Sequence, residues 1–227
     1  MTSLQYTQLD PVARILESAA AFLPAYEPER PIFVRTFGPL TIHIGEEHLE
    51  PTGRARALLV ELFARGGHAV PAATVAGALW PHGETGYALG ALNNTLYRMR
   101  RKPGMTKLVT LTDGRLTLDS RQCDIDRWIL EAALDTATTI LELGDPQADH
   151  QELERLLALA VAVYRGPLLE HEQSEAARNA RQRIRRRLAH VMTRAEHWLA
   201  RTYAAATDWL ARLVAVDPVP EFMTARA

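Results

Sequence analysis

The chain has 227 residues, enough for one or two domains with a sizeable core, and 47% hydrophobic with 23% charged residues excludes an intrinsically disordered chain. The single Cys123 excludes an intramolecular disulfide. The start lacks a basic segment leading into an apolar run, and no stretch of about 18 apolar residues follows, so a signal peptide and a membrane span are not expected and the location reads as cytoplasmic. The formal net charge of −1 is uneven: residues 31–122 carry 11 basic and 7 acidic side chains, net +4, while both flanks are acidic. Such asymmetry fits one segment that meets phosphate and others that do not.

In chain order, residues 1–30 read as an N-terminal extension and linker, with a short amphipathic helix around Val12, Ile15, Leu16 and Ala19. IFVRTF and LTIHIG, separated by Gly38-Pro39, are β-rich runs that predict a small antiparallel sheet, with one more short strand at His48-Leu49. Arg54 to Arg65 is a helix with Ala55, Leu58, Leu59, Leu62 and Phe63 on one face, ended by Gly66-Gly67. Pro71 opens a second helix through Val75, Leu79 and Trp80, and Pro81 closes it. A third follows the loop His82–Gly86 and stops at Pro103-Gly104. In LVTLTDGRLTLD, Asp113-Gly114 lies between two alternating runs and predicts a tight hairpin. Sheet, three helices and hairpin, in that order, make a winged helix-turn-helix with an extra N-terminal sheet over residues 31–121.

The third helix, Tyr87 to Lys102, is the centre of the argument. Leu89, Leu92, Leu96 and Met99 recur at helical spacing and predict a buried back. The front carries Asn94, Arg98 and Arg101, with Thr95, Tyr97 and Lys102 at its flanks. Asn and Arg can each bond a base edge bidentately, and Arg and Lys bind phosphate. A solvated basic face has the same composition, so the helix by itself leaves both readings open. Thr112 and Arg115, at the hairpin tip, are candidate wing contacts; an ordinary solvated turn is the other reading of Arg115.

Residues 122–227 read as all-helical. Asp124 or Asp126 caps a helix to Gly144, a second runs from Gln151 to Tyr164, a third from near Ser174 to about Tyr203, and a fourth ends near Val216. Antiparallel pairs with Ala-rich faces suggest a tetratricopeptide-like module. The run RNARQRIRRR, 178–187, is either a salt-bridged face matched by Glu170, Glu172 and Glu175 or a surface for DNA or a partner.

Two sets of residues resemble a known family. TFGPLTIHI, then GRARALLVELFARGGHAVPAATVAGALWP, then ALNNTLYRMRRKPG is similar to the OmpR-type winged helix of bacterial activators, and more narrowly to the SARP-like group. CDIDRW at 123–128, AVAVYRGPLLE at 160–170, the Arg-rich run, and DPVPE at 217–221 resemble the bacterial transcriptional activator domain that follows such winged helices. The resemblance spans roughly residues 33–222. It implies a cytoplasmic transcriptional regulator that binds double-stranded DNA as a dimer. It assigns base reading to Asn94, Thr95, Arg98 and Arg101, phosphate contact to Arg100, and RNA polymerase contact to the loop His82–Gly86. Lys102 joins this set by its place at the helix end. The chain departs from the family at the wing, where Gly114-Arg115 stands for the usual Gly-Tyr, and in showing no receiver domain. The helical module also ends where the family continues through another helix pair.

Catalysis is not expected. Asp124 and Asp126 at a helix start suit capping better than acid–base work, Cys123 lacks a sequence-adjacent His or Lys, and His190 and His197 have no third ligand, so neither a metal nor a cofactor is implied. The preferred reading is a sequence-specific DNA-binding regulator. The alternative is a protein-interaction adaptor whose winged helix does not bind DNA.

Overall fold

A computed structural model describes residues 32–45, 47–201 and 208–226. The expected N-terminal extension, residues 1–30, lies outside them, as does the stretch around Tyr203 where the third helix of the second half was expected to end. The chain is α+β: short strands come first, helices dominate thereafter.

The strands β1 (Ile32–Arg35), β2 (Thr41–Ile44) and β3 (Glu47–Leu49) pair antiparallel, Ile32 opposite Ile44 and Ile42 opposite Leu49. Alternation buries Ile32, Val34 and Ile42 on one face, which sets the register. Next come α1 (Gly53–Ala64), β4 (Val70–Pro71), α2 (Ala72–Leu79), α3 (Thr85–Arg100), β5 (Val109–Thr112), β6 (Arg115–Leu118) and β7 (Cys123–Ile125). The expected hairpin is β5–β6, turning on Asp113 and Gly114 at φ 51° and 69°. Two positive φ values in a two-residue loop define the turn whose twist matches the strands. β4 adds to β6, giving a three-stranded sheet in the order β4-β6-β5.

The buried residues of the three helices largely follow from sequence spacing. In α1, Leu58, Leu59, Leu62 and Phe63 are buried; in α2, Ala72, Val75, Ala76 and Leu79. In α3 the buried stripe is Ala88, Leu92, Leu96 and Met99, which differs from the expected one only at its first position: Ala88 is buried there and Leu89 is half-buried.

Two features of this region differ from the sequence expectation. Cys123–Ile125 is a strand, β7, parallel to β1, so the first sheet is mixed with the order β3-β2-β1-β7. Asp126 also does more than start a helix. Its buried carboxylate accepts the Thr36 amide (2.8 Å to each oxygen), the Thr36 hydroxyl (2.5 Å) and the Phe37 amide (3.0 Å). The orphan donors of the β1–β2 turn are thereby satisfied from 90 residues away.

The helices of the second half are α4 (Asp126–Leu143), α5 (Pro146–Val163), α6 (Glu175–Ala200), α7 (Trp209–Val216) and α8 (Pro220–Arg226). α5 begins five residues before the expected Gln151, because Asp145 caps it by accepting the Gln147 amide at 2.8 Å and Pro146 tolerates the first helical position. α6 starts beside Ser174, as expected, and the Ser174 hydroxyl accepts the Ala177 amide at 3.2 Å. α8 was not foreseen.

The described residues fall into two compact units, and the division is not the contiguous one drawn at residue 122. The first unit holds residues 32–126 together with 167–184; the second holds residues 127–166 and 185–226. Residues 167–184 belong with the strands because backbone groups tie them there. Leu168 bridges Phe37, the Leu169 amide donates to the Thr36 carbonyl at 2.6 Å, and the Gly38 amide donates to the Pro167 carbonyl at 3.1 Å. Arg181 then gathers the carbonyls of Leu168, Leu169 and Glu172, and Arg56 pairs with the Glu172 carboxylate at 2.6 Å.

In the second unit, α7 packs on α8 and α5. Tyr164 meets Phe222 edge-on at 5.9 Å, and its hydroxyl donates to Asp217 at 2.5 Å. Arg185 completes a bidentate pair with the same carboxylate at 2.8 and 3.0 Å.

Gly67 tests the first unit's packing. Its φ of +75° is left-handed, and a Cβ there would lie 2.4 Å from the buried Leu118 Cδ1. Gly67→Ala is expected to cost about 2 kcal/mol, from the φ and the forced Leu118 shift together, read as a lower denaturant midpoint with an unchanged slope.

Candidate nucleic-acid interface

The eight residues singled out on the third helix and hairpin for DNA lie in the first unit. The hydrophobic back of α3 presses Leu92, Leu96 and Met99 into the core, which fixes the rotation of the helix about its axis. Asn93, Asn94, Tyr97 and Arg98 are therefore exposed, with Arg101 and Lys102 exposed beyond the helix end. Tyr97 is 62% exposed, and the Arg101 guanidinium lies 5.8 Å from its ring centre. That distance is within cation–π range.

A groove of about 500 Å³ runs along this helix, lined by Asn94, Thr95, Arg98 and Lys102 from α3 and its end. Its opposite wall includes Arg54 and Trp80. No acidic residue lines it; Arg54, Arg98 and Lys102 supply its charge. Arg54 is held in place: its Nη1 donates to the Leu79 carbonyl at 2.8 Å and its guanidinium sits 5.2 Å above the Trp80 ring. The structure thus brings together four of the eight expected residues and adds two that the sequence reading passed over. Arg54 stood as the first residue of a helix and Trp80 as the last apolar residue of another. That they face each other depends on how α1 and α2 pack, which their own periodicities do not contain.

The remaining four sit elsewhere. Arg101 flanks Tyr97 outside the groove lining. Arg100 is half-buried, and its Nη2 donates to the Val109 carbonyl at 3.0 Å, tying the end of α3 to β5. A role for Arg100 in aligning helix and hairpin is therefore visible in the geometry. Thr112 and Arg115 are exposed beside the hairpin turn, as a wing contact requires. Arg115 also braces that turn, its Nη1 donating to the Ala69 carbonyl at 3.0 Å. The Thr95 hydroxyl donates to the Ala91 carbonyl at 2.9 Å, which commits its proton and leaves its oxygen as an acceptor only.

The Arg-rich run of α6 resolves into separate partners. Arg178 bonds the Gln173 carbonyl, Arg181 the carbonyls around Leu169, Arg185 the Asp217 carboxylate and Arg187 the Asp135 carboxylate. The expected acidic partners are not the ones used: Glu172 goes to Arg56. Arg183 and Arg186 are exposed, with no hydrogen-bond or ion-pair partner among the described residues.

Other chemistry finds little geometry. Among the described residues no group of three or more His, Cys, Asp or Glu side chains is placed to hold a metal ion, and no helix is long and apolar enough to cross a membrane. Cys123 is buried in β7, its thiol against the Asp119 carbonyl at 3.3 Å. Compared with known proteins, the sequence matches no protein-family model and no curated protein at a significant level.

Proposed function

We propose that this chain is a sequence-specific, double-stranded DNA-binding transcriptional regulator, and an activator by its resemblance to the SARP-like group. In this reading residues 32–121 act as a winged helix. α3 enters the major groove, the β5–β6 hairpin is the wing on flanking DNA, and the loop His82–Gly86 is exposed for RNA polymerase. The observation that carries the proposal is the exposed face of α3 and its end: Asn94 and Arg98 stand on a helix whose back is buried in a core, Arg101 and Lys102 follow it, and Asn94, Arg98 and Lys102 line a groove without acidic residues. The helical second unit, read as a tetratricopeptide-like activator module, serves self-association into a dimer. It leaves Leu143 and Met223 exposed at 84% and 56%, apolar surface that a second copy would cover.

A salt titration tests the reading. If Arg54, Arg101, Lys102 and Arg115 each neutralise one phosphate, log affinity for duplex DNA falls against log salt with a slope of about −4 per protomer. A saturable duplex affinity with that dependence supports the proposal. A folded protein with no saturable affinity at low micromolar concentration points to a protein-interaction adaptor.

A further inference from the structure

This inference rests on the reading that α3 occupies the major groove, and it names what the helix would read there. The polar side chains at the front of α3 differ in what they already hold. The Thr95 hydroxyl is bonded to the Ala91 carbonyl, the Arg100 guanidinium to the Val109 carbonyl, and the Arg101 guanidinium lies over the Tyr97 ring. Asn94 and Arg98 are exposed and make no hydrogen bond or ion pair among the described residues. They can therefore offer a complete bidentate edge without breaking an existing contact.

Their chemistries select different bases. The Asn amide presents one donor and one acceptor side by side, the complement of adenine N6 and N7. The Arg fork presents two donors, the complement of guanine O6 and N7. The two residues are four apart on one helix face, a rise of about 6 Å. With about 3.4 Å per base pair, a helix lying along the groove sets their targets about two base pairs apart.

We infer that each half-site contains an adenine and a guanine about two base pairs apart, read by Asn94 and Arg98 respectively. Thr95, Arg100 and Arg101 stand outside direct base reading: the Thr95 hydroxyl proton is held by the Ala91 carbonyl, Arg100 aligns the hairpin, and Arg101 with Tyr97 meets the backbone.

The test is selection from a random-sequence duplex pool at fixed salt, run on the wild-type chain and on Asn94→Ala, Arg98→Ala and Arg98→Lys. Both positions are exposed, so the variants should melt with the parent. The wild type should enrich a motif with the A and G at that spacing. Asn94→Ala should flatten the preference at the adenine and leave the guanine, a loss of about 5- to 100-fold in discrimination at that position. Arg98→Ala should do the converse. Arg98→Lys keeps the charge and loses the fork, so it should flatten the guanine while preserving non-specific affinity. An enriched motif without this pair, or variants that weaken all sequences uniformly, overturns the inference and leaves DNA binding standing. A folded wild-type chain that enriches nothing overturns the DNA-binding reading, and the inference with it.

Discussion

Asp126→Ala is expected to lower the unfolding free energy by about 3 to 4 kcal/mol, the largest single loss foreseen in the first unit. The carboxylate is 2% exposed and accepts from two amides and one hydroxyl. Hydrogen bonds to a charged acceptor are worth about 1.5 to 3 kcal/mol each, and truncation leaves the Thr36 and Phe37 amides buried without this acceptor. Thr36→Val removes the hydroxyl and spares both amides, so its loss should be nearer 1 kcal/mol. Denaturant unfolding of both variants checks the ordering. Equal losses would show that the hydroxyl, not the amide pair, dominates the contact. Because Asp126 lies outside the groove lining, the proposed function predicts that the folded Asp126→Ala protein keeps whatever sequence preference the parent shows on DNA.

The second large effect is expected in the helical unit. Asp217 accepts from the Tyr164 hydroxyl and from two nitrogens of Arg185. Asp217→Ala strands a half-buried guanidinium and a buried phenol, and a loss of about 2 to 3 kcal/mol follows. The same network gives a pH signature. Burial, then the hydrogen bond to Asp217, hold the Tyr164 hydroxyl protonated well above its ordinary value of 10.0. An unfolded chain releases that proton near pH 10 while the folded one keeps it. The folded state then binds more protons, and stability falls as pH rises. The contribution is intact below about pH 10 and declines above it by at most about 1.4 kcal/mol per pH unit. Melting curves of the wild type and Tyr164→Phe, taken from about pH 9 to 11, should converge as pH rises. A constant gap across that range would show that Tyr164 ionises as readily in the folded chain as in the unfolded one.

How far the sequence reading reached depended on the range of the interaction. Local signals carried well. Leu58, Leu59, Leu62 and Phe63 are buried as the 3.6-residue periodicity predicts, while packing also buries Val60, Glu61 and Ala64 between them and leaves Ala55 half-buried. Asp113-Gly114 turns the hairpin because few residue pairs accept two positive φ values. The exposure of Asn94 and Arg98 followed from the apolar stripe behind them, even though that stripe starts at Ala88 rather than Leu89.

Non-local pairing was out of reach. Cys123–Ile125 is too short to show alternation, and it becomes a strand because β1 offers a free edge. The Asp126 carboxylate resembled a helix cap because capping is the local use of such a residue, and its partners lie 90 positions upstream. The Arg-rich run could be read as a patch only while its partners were unknown. Arg181 and Arg185 are separated by one helical turn and serve different units.

Sequence by itself determined the α+β class, the turn chemistry and the polar front of α3, since each depends on residues within about a turn or a hairpin of one another. The tertiary structure decided which parts of the chain make up each unit, that Arg54 and Trp80 join the α3 groove, and that Arg100 is tied to β5 while Asn94 and Arg98 bond no other segment among the described residues. Those outcomes depend on which donor meets which acceptor once distant segments pack, and hydrogen bonds between distant residues leave no periodicity in the chain.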